Sequence, residues 1–139
     1  MSLVAFLEKN WMMALVFVVS GAMLVMPLVT RRLSKAKDVG NLEATVLINK
    51  KDAILVDVRE TSEYENGRLP GAVHIPLSQL EARSAEIAKQ ASRPVIAYCA
   101  RGNRSRMAAS ALAKAGFAEI YHLSGGIDAW RAAGLPVEK

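Results

Sequence analysis

Hydrophobic and polar positions divide the chain into one long apolar run and a longer part in which short apolar runs alternate with polar segments. No charged residue occurs from Asn10 to Thr30, and residues 11–29 are almost all apolar. Nineteen residues of α-helix span about 28 Å, which matches the hydrocarbon core of a bilayer. The pattern predicts an N-terminal segment 1–30 whose transmembrane helix, at about 11–29, contacts the lipid bilayer.

The residues that flank this run favour a retained anchor over a cleaved signal peptide. Trp11 is expected at one membrane interface, and basic residues follow at the other: Arg31, Arg32, Lys35 and Lys37. A signal peptide instead has a basic start, a shorter apolar core and a small-residue cleavage site. The positive-inside bias predicts that the N-terminus lies outside and that the C-terminal side lies in the cytoplasm.

Beyond a basic linker predicted at residues 31–40, the pattern predicts one α/β domain over residues 41–139. Short apolar runs typical of strands buried on both faces of a sheet occur at 53–58, 73–75, 94–98 and 120–123. Helix-forming segments alternate with them, at 41–51, 61–66, 78–90, 105–115 and 126–133. This alternation predicts a mostly parallel sheet flanked by helices, with ligands bound at the carboxyl ends of the strands.

Two of the helices are predicted from signals at their N-termini. Asn41 is a candidate cap for the helix 41–51, although the β-propensity of residues 45–48 favours a strand there. Ser78 is a candidate cap for the helix 78–90, because Glu81 follows it at the spacing of a capping box.

Charge and cysteine content narrow the classes of function. The net charge of +5 is uneven, since residues 1–37 carry +4 and residues 38–139 carry only +1. The folded domain therefore lacks the basic surplus expected of a nucleic-acid-binding protein. Cys99 is the only cysteine, which excludes an internal disulfide. No cofactor is expected, and two isolated histidines with one cysteine do not make a metal site.

The stretch from Cys99 to Ser105 has the pattern of a nucleophile in an anion-binding loop. An apolar run, 94–98, leads into it, and a helix-forming run follows, so that backbone N–H groups and the positive end of a helix converge on Cys99. Such surroundings lower the pKa of a thiol. Gly102 permits a tight turn. The loop residues predicted to bind substrate are Ala100, Arg101, Gly102, Asn103, Arg104 and Ser105.

Other polar residues have simpler interpretations. Asp57 and Arg59 follow a predicted strand and are expected to support the site by organising its loops, with Arg59 paired to a local acid such as Glu63. Arg106 is either a solvated residue of the first helical turn or a further group that steers anions. Trp130 fits helix packing in the core.

Three stretches resemble the single-domain rhodaneses, which are thiosulfate sulfurtransferases. The first comprises Leu55–Glu60, Glu63–Tyr64, Gly67–Ala72 and Ile75–Pro76; the second is Cys99–Ser105; the third comprises Tyr121–Trp130 and Gly134–Val137. Arg68 departs from the family, which usually has His there, but this position does not carry the chemistry. With its apolar N-terminal helix, the chain resembles membrane-anchored bacterial rhodaneses, which implies the inner membrane as its location.

The resemblance implies that Cys99 takes the outer sulfur of a small donor such as thiosulfate as a persulfide, and passes it to a thiol or cyanide. The spacing from Cys99 to Arg104 is Cys-x4-Arg, whereas the related phosphatases use Cys-x5-Arg. The shorter loop suits a smaller reactive centre such as sulfur. A second hypothesis is that the domain is an adaptor or accessory subunit that binds an integral-membrane protein complex, such as insertion or translocation machinery.

Overall fold

The computed structural model describes residues 2–33 and 36–139, which form two compact units divided between residues 34 and 35. The first unit contains helices α1 (Leu3–Lys9) and α2 (Trp11–Leu33). The side chain of Ser2 caps α1 by accepting a hydrogen bond from the N–H of Ala5 at 3.2 Å.

Helix α2 contains the predicted apolar segment. Its stretch Trp11–Val29 has a mean hydropathy of 2.4, and no part of this stretch is buried within the structure. The helix is long and apolar enough to cross a membrane, a criterion that a signal sequence near an N-terminus also meets.

The second unit is an α/β domain in which strands and helices alternate. Its strands are β1 (Ala36–Val39), β2 (Ile54–Asp57), β3 (Val73–His74), β4 (Val95–Tyr98) and β5 (Ile120–Leu123). Its helices are α3 (Asn41–Lys51), α4 (Thr61–Glu65), α5 (Leu80–Arg83), α6 (Asn103–Met107), α7 (Ala109–Lys114) and α8 (Gly126–Ala132). Turns of 3₁₀-helix occur at Leu77–Gln79, Ser84–Glu86 and Ala88–Gln90.

The strands form one five-stranded sheet in the order β1-β5-β4-β2-β3, and every pairing between them is parallel. Strands β2 and β4 are buried along their whole length, which explains their continuous apolar sequences. The predicted α/β architecture is confirmed. Asp57 ends β2 and Cys99 follows β4, so both lie at the carboxyl edge of the sheet.

Two apolar clusters cover the sheet. One includes Leu80, Ile87 and Leu112, and the other includes Leu47, Tyr98 and Trp130. Trp130 is 5% exposed and donates its indole N–H to the carbonyl of Pro136 at 2.8 Å, so the prediction that it belongs to the core is confirmed.

Part of the predicted linker 31–40 belongs to the sheet. Ala36–Val39 is β1, which pairs along its full length with β5 at one edge. Its polar sequence carries no strand signal, and the pairing depends on the free edge that β5 offers. Helix α2 continues to Leu33, and residues 34 and 35 of the predicted linker lie outside the described residues.

Two predicted caps are wrong. Gly40 precedes α3, and the side chain of Asn41 instead donates to the carbonyl of Ala129 at 3.2 Å, which ties α3 to α8. Ser78 lies within a 3₁₀ turn, and the predicted helix 78–90 is divided into α5 and short 3₁₀ turns. Its fully buried residues are Leu80 and Ile87, which do not form the continuous apolar stripe that stabilises a longer helix.

The predicted helix 105–115 begins earlier and is divided into two. It starts at Asn103, directly after the turn at Gly102, and α6 ends at Met107 before α7 begins at Ala109. The earlier start places the first helical turn inside the predicted substrate-binding loop.

Candidate functional site

Cys99 lies at the floor of a tight turn between β4 and α6. The residue is only 1% exposed, and Ser105 beside it is equally buried. Gly102, with φ of 106°, directs the chain from the turn into the helix. A conformation with positive φ costs glycine little, so the turn can close tightly around the sulfur.

Hydrogen bonds to the sulfur favour the thiolate. The N–H of Gly102 donates to Cys99 Sγ at 3.0 Å, and the thiol lies 3.7 Å from Ser105 Oγ. Burial opposes ionisation, but hydrogen bonds from the amide and hydroxyl of Ser105 and from the amides of Gly102 and Arg101 outweigh it and lower the pKa of Cys99. In the thiol form, the Ser105 hydroxyl donates to the carbonyl of Gly102 at 3.2 Å.

The N-terminus of α8 holds the loop from the other side. The N–H of Ile127 donates to the carbonyl of Cys99 at 2.9 Å, and the N–H of Asp128 donates to the carbonyl of Ala100 at 3.1 Å. These bonds engage the loop carbonyls, while the amides of the turn face the sulfur. Close contact is possible because residue 126 is glycine: a Cβ there would lie 2.3 Å from the carbonyl oxygen of Cys99.

Arg104 makes a two-point ion pair with Glu63 of α4. Its two terminal nitrogens donate to the two carboxylate oxygens at 2.6 and 2.9 Å, and each side chain is about one-third exposed. The hydrogen bonds from Arg104 lower the pKa of Glu63 to about 2. The pKa of Arg104 is raised, chiefly by Glu63 and to a smaller extent by the charge of Cys99.

Carboxylates offset much of the positive charge of Arg101, Arg104 and Arg106. Arg101 lies 3.6 Å from Asp128, and Arg106 lies 4.0 Å from Asp38, so Arg101, Arg104 and Arg106 each have a carboxylate nearby. Arg101 is 84% exposed and its pair is open to solvent. Arg101 and Arg104 thus lie beside the cysteine as predicted for loop residues, and acids distant in sequence meet both of them in the fold.

Asp57 and Arg59 form a second ion pair, which is buried beneath the loop. Arg59 Nη2 lies 2.7 Å from Asp57 Oδ2 and also donates to the carbonyl of Gly67 at 2.6 Å. Tyr98, which precedes the cysteine, donates its hydroxyl to Asp57 at 3.0 Å and accepts from the N–H of Leu69 at 3.1 Å. Arg59 is therefore paired with a local acid, as predicted, but that acid is Asp57 and not Glu63, which bonds to Arg104.

The remaining predicted loop residues occupy distinct positions. Asn103 is exposed at the start of α6, and Ala100 is half-buried with its carbonyl engaged by α8. Glu63 and Gly126 are additional residues that shape the site. Both belong to stretches that carry the family resemblance, but no local pattern indicates that they contact the loop.

Comparisons with known proteins agree on one family. The model of the family described as "Rhodanese-like domain" matches residues 41–133. The chain is 36% identical over 105 residues to the uncharacterized protein YibN of Escherichia coli K12, covering 75% of this chain and 73% of that protein. It is 35% identical over 96 residues to the thiosulfate sulfurtransferase GlpE of Coxiella burnetii, covering 69% of this chain and 88% of GlpE.

Solved structures show the same fold. A crystal structure of a rhodanese-related protein from Thermoplasma volcanium is similar with a TM-score of 0.62 and 29% sequence identity. The similarity covers 73% of this chain and 97% of that one.

Proposed function

The chain belongs to the rhodanese-like family, and from that premise we propose that it transfers sulfane sulfur through a persulfide on Cys99. The observation that carries the proposal is the convergence of hydrogen-bond donors on a buried sulfur whose pKa is lowered. Relatives named as sulfurtransferases, including GlpE of Coxiella burnetii and a protein of Allochromatium vinosum, support it.

The proposed reaction has two displacement steps. The Cys99 thiolate attacks the outer sulfur of the donor; a new S–S bond forms, the donor's S–S bond breaks, and the remainder leaves with the electron pair, as sulfite in the case of thiosulfate. A thiol, as thiolate, or cyanide then attacks the terminal sulfur, and the Cys99 thiolate is regenerated. No general base is required once the Cys99 thiolate has formed, and the lowered pKa of the thiol favours that form.

The loop also suits the intermediate. A persulfide places its terminal sulfur about 2 Å beyond Sγ. The terminal sulfur carries the negative charge of the intermediate, and inward-facing amides stabilise an anion in such a turn. The bonds from Ile127 and Asp128 to the loop carbonyls keep these oxygens from facing the same charge. Ala100, Arg101, Gly102, Asn103, Arg104 and Ser105 are proposed to surround the donor.

Mass spectrometry of the full chain in detergent tests this proposal. After incubation with thiosulfate, the wild-type protein should gain about 32 Da, one sulfur atom, on Cys99 and should turn over thiosulfate with cyanide. The Cys99→Ser variant should do neither. Equal turnover by both proteins, or no adduct with any sulfane donor, would exclude the proposed chemistry.

We also propose that α2 anchors the domain in a bacterial inner membrane, with the N-terminus outside and the domain in the cytoplasm. The apolar length of Trp11–Val29 supports a span, and the basic residues that follow it support the orientation. Protease treatment of intact and opened spheroplasts tests the orientation. Digestion of the domain in intact spheroplasts would contradict it, and recovery of the chain in the soluble fraction would contradict the anchor.

A docking role is a second candidate, which the exposed surface of α2 favours. Met12, Met13, Val16, Phe17 and Ser20 share one exposed, mostly apolar face of this helix, where a helix of an integral-membrane protein can pack. Replacement of α2 by an unrelated membrane helix should abolish co-purification of such a partner in mild detergent. If the same partner still co-purified after the exchange, α2 would serve only to attach the domain to the membrane and would not bind the partner.

A further inference from the structure

The ion pair between Glu63 and Arg104 has the geometry of a strong interaction. The guanidinium presents both terminal nitrogens to both carboxylate oxygens, at 2.6 and 2.9 Å. Glu63 is itself held in place, because its Oε1 also accepts the N–H of Glu60 at 3.2 Å in a capping box at the start of α4. The acid that meets Arg104 is therefore fixed on a helix and is not a freely rotating surface side chain.

This pair involves the arginine at the start of α6, five residues after Cys99. The charge of Cys99 acts on Arg104, and the charge of Glu60 acts on it as well. A dianionic donor bound by Arg104 would compete with the Glu63 carboxylate and would meet repulsion from the two acids at the start of α4, Glu60 and Glu63. A donor that carries one negative charge at its sulfur atoms meets less repulsion from these acids. Its binding also depends less on the positive charge of the Arg104 guanidinium.

We propose that Glu63 is a specificity-determining residue, which holds Arg104 in a two-point ion pair and so shifts the preference of the site from dianionic donors such as thiosulfate toward organic persulfides. The inference rests on the sulfurtransferase function proposed above. An organic persulfide reacts by the same displacement as thiosulfate. The Cys99 thiolate attacks the outer sulfur of R–S–S⁻, the donor's S–S bond breaks as the new one forms, and RS⁻ leaves with the electron pair and takes a proton from water.

Rates of persulfide formation on the full chain in neutral detergent provide the test, with thiosulfate and cysteine persulfide as donors. In Glu63→Gln, the thiosulfate rate constant divided by the cysteine persulfide rate constant should rise about tenfold, since Arg104 then has no competing carboxylate. Glu65→Gln is the matched control, because Glu65 lies exposed on the same helix and the variant loses the same charge. Its ratio should stay within about twofold of wild type.

A second measurement does not depend on thiosulfate as a substrate. Sulfate, an unreactive dianion, should inhibit the reaction with cysteine persulfide about tenfold more strongly in Glu63→Gln than in wild type, and not in Glu65→Gln. An unchanged or lower donor ratio in Glu63→Gln would overturn the proposal. So would an equal loss of both rates, which would assign Glu63 a purely positional role. If the wild type formed no persulfide with thiosulfate and none with cysteine persulfide, the underlying function would be refuted instead.

Discussion

Two of the arginine–carboxylate pairs around the cysteine loop differ in depth. The Asp57–Arg59 pair is buried, with side chains 0% and 3% exposed, whereas Glu63 and Arg104 are 33% and 34% exposed. Both use close, multiple hydrogen bonds. The buried pair connects residues two apart in sequence, and the outer pair connects residues 41 apart.

The surroundings of the pairs indicate different roles. Arg59 also bonds to the carbonyl of Gly67, and Asp57 accepts the hydroxyl of Tyr98, so Arg59 Nε, Arg59 Nη2 and the Tyr98 hydroxyl each have a protein partner. The outer pair faces solvent beside the cysteine loop, where a ligand can exchange with one partner. We therefore infer that the inner pair maintains the fold under the loop and that the outer pair adjusts which donors reach the sulfur.

The largest effect expected from this comparison is on stability. Asp57→Asn should lower the free energy of unfolding by about 3–5 kcal/mol, because it leaves the Arg59 charge buried without a counter-ion. Chemical denaturation of the full chain in detergent measures the loss. Asp52→Asn is the matched control: Asp52 pairs with Arg93 but is 84% exposed, so the loss should stay below about 1 kcal/mol. Similar losses in both variants would contradict the distinction by depth.

An intermediate effect is expected on the reactivity of the thiol. Ser105→Ala removes a hydroxyl that helps to lower the pKa of Cys99, so the pKa should rise toward that of an ordinary thiol. Persulfide formation should become about fivefold slower below neutral pH and approach the wild-type rate in alkali, where both thiols are ionised. A pH–rate profile measures this change. Ser110→Ala, at an exposed position of α7, should leave the profile unchanged; a uniform rate loss at all pH values in Ser105→Ala would contradict a pKa effect.

The smallest effect is expected on the stability contributed by the outer pair. Glu63→Gln should cost less than about 1 kcal/mol near neutral pH, because a one-third exposed pair is screened by solvent. The folded pKa of Glu63 is lowered from 4.5 to about 2, so its contribution is present above pH 4.5 and is lost as the pH falls toward 2. Melting temperatures of both proteins should thus converge between these pH values. A difference in melting temperature between the two proteins that grows as the pH falls would contradict this prediction.

Much of the domain could be predicted because its strands carry local signals. The strand predicted at 120–123 is Ile120–Leu123, and Val95–Tyr98 lies within the predicted 94–98. Buried parallel strands have continuous apolar sequences, which leave little ambiguity when helix-forming segments separate them. The end of β4 then determines where Cys99 lies, and Gly102 with the helix after it indicates that amides surround the sulfur.

Elements without such signals escaped prediction. β1 has the polar sequence Ala-Lys-Asp-Val and becomes a strand through its hydrogen bonds to β5, some 84 residues further along the chain. The approach of Gly126 to the carbonyl of Cys99 likewise depends on how α8 packs against the loop. In both cases the stabilising partner is distant in sequence, so no window of residues reveals it.

The amino-acid sequence by itself determined the apolar helix, the alternation that produces a parallel sheet, and the presence of one thiol in an arginine-rich turn, because each follows from local periodicity and residue type. The tertiary structure alone decided that Arg104 meets Glu63. An ion pair depends on the final separation of two charges, and α4 and α6 bring Glu63 to Arg104 only when β2 and β4 lie side by side.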